Sequence, residues 1–233
     1  MRFSSGAALT SDPLGKKVSF FATSQYHYEI APYCFKGTDF PVVSVTGKWC
    51  ALRCKHCNAR ILERMIPAET PDKLRHVLDQ IRLRGNKGVL ISGGSNRDGS
   101  VPLKHVASVI EEVKRGSDLK VYLHTGLVDE DQASLIRWMK VDAALCDVVG
   151  DEETIAEVLA IDANPEDMFR GMRLLLNYGV PTVPHLVVGM NHGKIRGEHR
   201  ALRAIADANP SAAAIVIMTP YPGTPFEDES PPD

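Results

Sequence analysis

Three of the five cysteines in this 233-residue chain stand close together, in the segment TGKWCALRCKHCNARIL. They are Cys50, Cys54 and Cys57, and their spacing is CxxxCxxC. Thiolate is a soft ligand that suits zinc and iron–sulfur clusters. The clustering therefore predicts a metal centre rather than the disulfide framework of a small secreted protein.

The number of thiols separates the two kinds of metal centre. Structural zinc takes four protein ligands in a closed tetrahedron, and no second CxxC or HxxxH follows in the sequence. His56 is the nominal fourth ligand, but it adjoins Cys57, and adjacent residues rarely turn onto one ion. A cubane cluster held by three cysteines leaves one iron open to a small molecule. The pattern favours such a cluster, with a zinc site or plain thiols as the alternative.

The rest of the chain alternates between apolar runs and helical patterns. The runs are rich in β-branched residues and predict six buried strands. They span 41–47, 88–94, 119–126, 141–150, 180–189 and 212–220. The first helical pattern has Thr70 as its N-cap and ends at Gly85.

This alternation predicts a parallel sheet, because each crossover returns over the same sheet. An open doubly wound sheet and an incomplete barrel both fit, since six strands are too few for the usual eight-stranded closure. In either architecture, ligands bind at the carboxyl ends of the strands. The cysteines follow the first predicted strand directly.

Composition narrows the class of protein. The chain is 44% hydrophobic and 24% charged, which is ordinary for a globular enzyme. Its net charge is −2 with scattered Lys and Arg, so we expect no nucleic-acid partner. No apolar run is long enough to span a bilayer, and the N-terminus lacks a signal-peptide core. We expect a cytoplasmic protein with reduced thiols and no membrane partner.

Three regions are predicted along the chain. Residues 1–40 form an N-terminal extension that packs on the barrel, and residues 41–226 form the main domain. Residues 227–233 are acidic and Pro-rich, and are expected to be a tail or the start of a longer connection.

The cysteine spacing, on a loop after the first strand of a βα-repeat chain, resembles the radical S-adenosylmethionine (radical SAM) superfamily. The resemblance covers most of residues 41–226. It implies an α/β fold, a (βα)6 partial TIM-type barrel with a parallel sheet, open on one side. It also implies that Cys50, Cys54 and Cys57 bind a 4Fe-4S cluster, and that S-adenosylmethionine (SAM) chelates the remaining iron.

The resemblance further implies a set of SAM-binding residues. The family's glycine motif after the second strand reads Gly93-Gly94-Ser95, with serine in place of the usual acid. Glycine allows close approach of a ligand to the backbone. The other implied contacts are His56, His124, Asp147, Gly189 and Met218.

Some of these residues have alternative interpretations. His56 is equally well a part-exposed loop histidine, and His124 a satisfied core histidine. Asp147 is placed where relatives hold the ribose hydroxyls, whereas Asp151 is expected to cap the next helical segment. His185 lies within an apolar strand and is expected to face the barrel interior.

The activity implied by the resemblance needs no nucleophile–base pair, so no catalytic side chain is assigned. An external donor reduces the cluster, which passes one electron to SAM. The resulting 5′-deoxyadenosyl radical takes a hydrogen atom from the substrate. The protein holds the reactants in line and excludes water.

Three phrases resemble a narrower group: SVTGKWCALRCKHCNARILERM, ISGGSNRDGSVPL and YLHTGL. They are similar to biotin synthase and lipoyl synthase relatives, and most similar to one component of the two-protein lipoyl synthases. This implies lipoate biosynthesis, in which sulfur is inserted into an octanoyl group. The implied partners are a second radical SAM protein and a lipoyl-domain protein or octanoyl peptide.

Sulfur insertion normally needs an auxiliary cluster, and only Cys34 and Cys146 remain for it. Two alternatives therefore stay open. One is a radical SAM enzyme of another substrate class, biotin synthase-like or acting on a peptide or cofactor. The other is a non-catalytic iron–sulfur or zinc protein.

Overall fold

The computed structural model describes residues 27–30, 33–36 and 40–232. The chain divides into two compact units, Met1–Phe40 and Pro41–Asp233. In the first, β1 (His27–Ile30) and β2 (Tyr33–Lys36) form an antiparallel pair. The predicted packing of residues 1–40 on the barrel lies outside the described residues.

The second unit is built on one parallel sheet. Its strands are β3 (Val42–Ser44), β4 (Ile66–Pro67), β5 (Gly88–Ser92), β6 (Lys120–His124), β7 (Ala143–Asp147), β8 (Thr182–Val188) and β9 (Ala214–Ile217). Their order is β4-β3-β5-β6-β7-β8-β9, and every pair is parallel. The outermost strands each pair with one neighbour within the described chain, so the sheet is open. This confirms the predicted α/β fold with an open parallel sheet.

All six predicted strands are present, each shorter than its apolar run. The sequence does not predict β4, because two residues carry no periodicity. Ile66 and Pro67 reach the sheet by pairing with Val43 and Ser44 of β3.

Helices connect the strands and cover one face of the sheet. They are α1 (Pro71–Leu83), α2 (Ala107–Gly116), α3 (Glu130–Met139), α4 (Glu152–Thr154), α5 (Pro165–Asn177) and α6 (Glu198–Ala208). A π-helical turn, Ile155–Leu159, continues α4. Within the described ranges, no helix has both the length and the apolar composition that crossing a bilayer requires.

Two predicted N-caps are confirmed. The hydroxyl oxygen of Thr70 accepts a hydrogen bond from the Lys73 amide at 3.3 Å, and α1 starts at the next residue. The carboxylate of Asp151 accepts one from the Thr154 amide at 2.9 Å. Each side chain satisfies an amide that has no partner inside the helix.

The two faces of the sheet differ in burial. Alternate strand residues point to opposite faces. The residues on the helix-covered face are buried in the core with α1, α2, α3 and α5, and include Val89, Ile91, Val121, Leu123, Ala144 and Cys146. On the opposite face Ser44, Ser92 and Ala143 are also buried, but most of the other alternate residues remain partly exposed. We call this the open face, and its apolar members are Leu90, Tyr122, Leu145, Val183 and Val187.

The β9 edge is less covered than the rest of the sheet. Ile215 and Ile217 lie on the same face as the buried Leu186 of β8, yet they are 59% and 61% exposed. In the part of the chain that the structure describes, no helix follows β9. The following turns pack elsewhere: Phe226 is buried, and Glu229 lies 2.6 Å from His192 Nδ1.

Candidate functional site

The cysteines lie on a loop that leaves the carboxyl end of β3. We call Thr46–Cys57 the cysteine loop. The ligand atoms of Cys54, His56 and Cys57 all lie within 4.8 Å of one another. Cys50 is outside that group, and its sulfur accepts a hydrogen bond from the Ser95 amide at 3.3 Å.

Two distant segments hold the cysteine loop from opposite sides. On one side, the Ala51 amide donates to the carbonyl oxygen of Ser95 at 2.8 Å. On the other, the Lys55 amide donates to the Val158 carbonyl oxygen at 2.8 Å, and the Cys54 thiol donates to that of Leu159 at 3.3 Å. The loop after β5 and the π-helical turn after β7 thus fix the positions of the thiols.

Gly94 has a packing role in this arrangement. A β-carbon there would lie 2.6 Å from Cys50 Cα and would also collide with the carbonyl oxygen of Trp49. The Gly94 amide donates to Thr46 Oγ1 at 2.6 Å. Only glycine therefore lets the two loops meet, whichever ligand they bind. The implied contact of Gly93, Gly94 and Ser95 with SAM stays a prediction.

The thiols differ in acidity. The pKa of Cys57 falls to about 4, chiefly because of its side-chain hydrogen bond with Cys54 and also because of that with His56. The pKa of Cys54 is raised in turn, by that same hydrogen bond and by burial. A thiolate is the form that binds metal.

His56 is the clearest sign of an incomplete site. Burial acts to lower its pKa, but Cys57 and Asp147 outweigh it, so the pKa is raised. Its Nδ1 is buried with no hydrogen-bond partner among the described residues. Buried polar groups are normally paired. An orphaned nitrogen beside soft thiol ligands fits a bound cluster with a polar ligand on it.

A second group of side chains is carried by three neighbouring strands: His124 and Asp147 end β6 and β7, and His185 lies in the middle of β8. His124, Asp147 and His185 have ligand atoms within 4.8 Å of one another. His124 Nε2 is 3.4 Å from an Asp147 carboxylate oxygen, and the two imidazole rings are 5.9 Å apart. His185 is directly opposite Asp147 in the β7–β8 register.

The carboxylate dominates the charge of this group. Burial acts to raise the pKa of Asp147, but His124, His185 and His56 outweigh it and bring the pKa to about 2. The pKa of His124 is raised, because Asp147 outweighs the effect of burial. Burial lowers the pKa of His185.

The remaining predicted residues have other neighbours. Gly189 has φ +76° and donates to Glu198 Oε1 at 2.8 Å, and a β-carbon there would lie 2.6 Å from Pro232. Met218 is buried, and its amide bonds to the Val188 carbonyl oxygen. Their contact with adenine stays a prediction.

The sequence did not predict that His185 lies beside His124 and Asp147. The prediction that it faces the interior of a barrel carries no information about its neighbours. Its only sequence signal is a polar side chain within an apolar strand, and the register with Asp147 follows from the tertiary structure. Cys146, in contrast, points into the core, where burial raises its pKa to about 12.

Solved structures share this fold. Methylornithine synthase (PylB) superposes with a TM-score of 0.63 at 14% identity, over 82% of this chain and 58% of that one. SuiB of Streptococcus suis, bound to S-adenosylmethionine, gives 0.57 at 14% identity, over 78% and 40%. TsrM of Kitasatospora setae, a methyltransferase with cobalamin and a [4Fe-4S] cluster bound, gives 0.56 at 14%, over 81% and 38%.

The chain thus spans less than two thirds of each of these structures, and at such identity the likeness shows the fold alone. A comparison with curated proteins gave no match. The sequence model of the radical SAM superfamily, whose members use a 4Fe-4S cluster and SAM, matches residues 44–199, which include the cysteine loop and both histidine positions of the second group. The chain therefore belongs to the radical SAM superfamily.

Proposed function

We propose that Cys50, Cys54 and Cys57 hold a 4Fe-4S cluster and that SAM binds its remaining iron. The observation that carries the proposal is the convergence of thiols and an unpaired imidazole nitrogen at the carboxyl edge of the sheet. When bound, the cluster supplies one electron that cleaves SAM into a radical able to take hydrogen from a substrate. We place the protein in the cytoplasm, since these thiols must stay reduced.

The chain's own contribution is to position and shield the cofactors. The Cys50 sulfur accepts a hydrogen bond from the Ser95 amide. The Ser95 hydroxyl and the Gly93 backbone therefore remain, and we assign them to the methionyl end of SAM. His56 Nδ1 is the group that we assign to its adenosyl part. Gly189 and Met218 keep their predicted place around adenine, while His124 and Asp147 have a competing assignment that is argued below.

Anaerobic SAM cleavage tests this proposal. The reconstituted chain, given dithionite and SAM, should release 5′-deoxyadenosine, measured by chromatography. Changing Cys50, Cys54 or Cys57 to Ala should abolish it and remove most of the iron, whereas Cys146→Ala should do neither. A reconstituted cluster that yields no 5′-deoxyadenosine would favour a non-catalytic iron–sulfur protein. Iron and sulfide retained in full by the triple variant would contradict the ligand assignment.

We further propose that the substrate carries an alkyl chain, as in sulfur insertion into an octanoyl group. The partly exposed apolar side chains of the open face support this, because an alkyl chain gains affinity by covering such surface. Leu90, Tyr122, Leu145, Val183 and Val187 form this surface on the same face as the His124 group.

The need for a sulfur source is the reason to propose a partner protein. Cys146 is buried on the helix-covered side, so its thiol is not available to an auxiliary cluster at the open face. A second radical SAM protein is therefore the proposed donor, acting on a lipoyl-domain protein or an octanoyl peptide.

Mass spectrometry of an octanoylated peptide tests the pairing. With the partner present, sulfur should be added, and with this chain alone it should not. Sulfur added by this chain alone would contradict the two-protein proposal. Leu145→Trp should obstruct the open face and slow substrate turnover while leaving substrate-free SAM cleavage intact. Equal slowing of both reactions would argue against an alkyl site there, and would favour a radical SAM enzyme of another substrate class.

A further inference from the structure

We propose that His124, Asp147 and His185 bind a single divalent transition-metal ion, separate from the iron–sulfur cluster. Two imidazoles and one carboxylate are a donor set that suits ions such as Fe²⁺, Zn²⁺ or Co²⁺. The three side chains are carried by the neighbouring strands β6, β7 and β8, with their ligand atoms within 4.8 Å of one another.

The backbone explains why these three groups meet. Asp147 and His185 are directly paired residues of β7 and β8, and His124 pairs with Leu145, two positions before Asp147. Neighbouring positions of parallel strands, and positions two apart along a strand, share a face. The three side chains are therefore carried by hydrogen-bonded strands on the open face, and strands hold ligands more rigidly than loops do.

The distances are close to those of a bound ion. Ligand atoms about 2.1 Å from an ion are separated from one another by roughly 3 to 3.4 Å in octahedral or tetrahedral geometry. His124 Nε2 and the Asp147 oxygen are already 3.4 Å apart. The His185 ligand nitrogen lies within 4.8 Å of both atoms, so binding an ion requires it to move closer.

Access and neighbours also fit an ion site. The side chains of His124 and Asp147 are 26% and 38% exposed, so an ion can reach them from the open face. Three protein ligands on one side leave further coordination positions open. Because the three ligands lie on the open face, a water or a carbonyl or carboxylate oxygen of a substrate would complete the coordination from that side.

This assignment competes with the expectation that His124 and Asp147 contact SAM. The two differ in what they require of His185. Metal binding needs all three side chains, whereas a ribose contact by Asp147 does not depend on His185. The proposed metal ligands include no cysteine, so the site can be measured in a protein that lacks the cysteines of the cluster.

Cobalt titration of the full-length Cys50→Ser/Cys54→Ser/Cys57→Ser variant tests the site without competing thiols. Visible d–d absorption should saturate at one Co²⁺ per chain. Adding His185→Asn or Asp147→Asn should weaken binding by at least about tenfold, the loss that changes even in outer-shell partners typically cause. His105→Asn, at an exposed helix position, is the matched control and should leave binding unchanged.

A triple variant that binds no Co²⁺, or that binds it equally after His185→Asn, would overturn the metal site. A second result would also overturn it. In that case Asp147→Asn lowers the affinity of the cluster-loaded protein for SAM, while His185→Asn changes neither SAM binding nor Co²⁺ binding. Thermal unfolding checks that each variant is folded. If the triple variant does not fold, dialysis of the cluster-loaded wild type and its His185→Asn variant against ⁶⁵Zn²⁺ makes the same comparison, and SAM cleavage by the wild type separately tests the proposed function.

Discussion

The polar and charged side chains at the amino end of the sheet differ from those at the carboxyl end in how fully they are paired within the chain. At the amino end, Asp142 accepts hydrogen bonds from Lys114, from Lys120 at 3.0 Å and from the Val121 amide at 2.8 Å. At the carboxyl end, His56 Nδ1 is unpaired and the Asp147 carboxylate is 3.4 Å from His124.

The difference separates stability from ligand binding. The charges at the amino end are satisfied within the chain, so they have little capacity left for a ligand. The thiols, imidazoles and carboxylate at the carboxyl end keep that capacity. This division is common in barrels of βα units, where the amino face serves stability and the carboxyl face holds the active site. Changes at the two ends should therefore affect different measurements.

Gly94→Ala should have the largest effect, and on the carboxyl end. The added methyl group would lie 2.6 Å from Cys50 Cα and against the Trp49 carbonyl group, both backbone atoms that cannot rotate away. We expect the cysteine loop to be displaced, with loss of most of the iron and of SAM cleavage. Iron analysis after reconstitution measures this.

Gly116→Ala is the matched control, because its added methyl group meets nothing within 4 Å. It should keep full iron content. If Gly94→Ala also keeps full iron content and activity, the proposed contact between the two loops does not position the thiols.

Asp142→Asn should have the next largest effect, and it should lower the stability of the protein without changing its iron content. The side chain is 19% exposed and its three donors would lose a charged acceptor, which typically costs about 1–3 kcal/mol in the free energy of unfolding. Urea unfolding at pH 7 measures this, and iron content should be unchanged.

The pH dependence of this variant has a defined sign. Burial acts to raise the pKa of Asp142, but the hydrogen bonds from Lys114, Val121 and Lys120 outweigh it, so the folded-state pKa is lowered. The stabilisation is therefore complete above the unfolded carboxyl pKa, about 3.9, and is lost as pH falls through the lower folded-state pKa. Wild type and variant should converge in acid, and a constant difference down to the lowest pH would contradict the charge-based account.

Thr46→Val should have the smallest effect, and it should change both the stability of the protein and its retention of iron. The buried Gly94 amide would lose its acceptor, the Thr46 hydroxyl oxygen at 2.6 Å, which typically costs about 1 kcal/mol. We expect slightly lower stability and faster loss of iron to a chelator, because the same bond joins the cysteine loop to the loop after β5. Thr219→Val, at an exposed position, should change neither. Unchanged iron loss in Thr46→Val would show that the bond does not support the cluster site.

The sequence by itself determined the features that depend on local spacing. The three cysteines lie within eight residues, and the six apolar runs repeat in chain order, so both the thiol centre and the parallel sheet follow from neighbours along the chain. The caps at Thr70 and Asp151 were predictable for the same reason, since a cap and its amide are three residues apart.

The tertiary structure decided which distant residues meet. The cysteine loop is hydrogen-bonded to Val158 and Leu159, about a hundred positions away. It also packs against Gly94, where a β-carbon would collide with the backbone of Trp49. His185 meets Asp147 only through the register of two strands joined by a long crossover. Strand periodicity fixes which face a residue occupies but not which residue lies opposite, because register is set by the packing of the whole sheet.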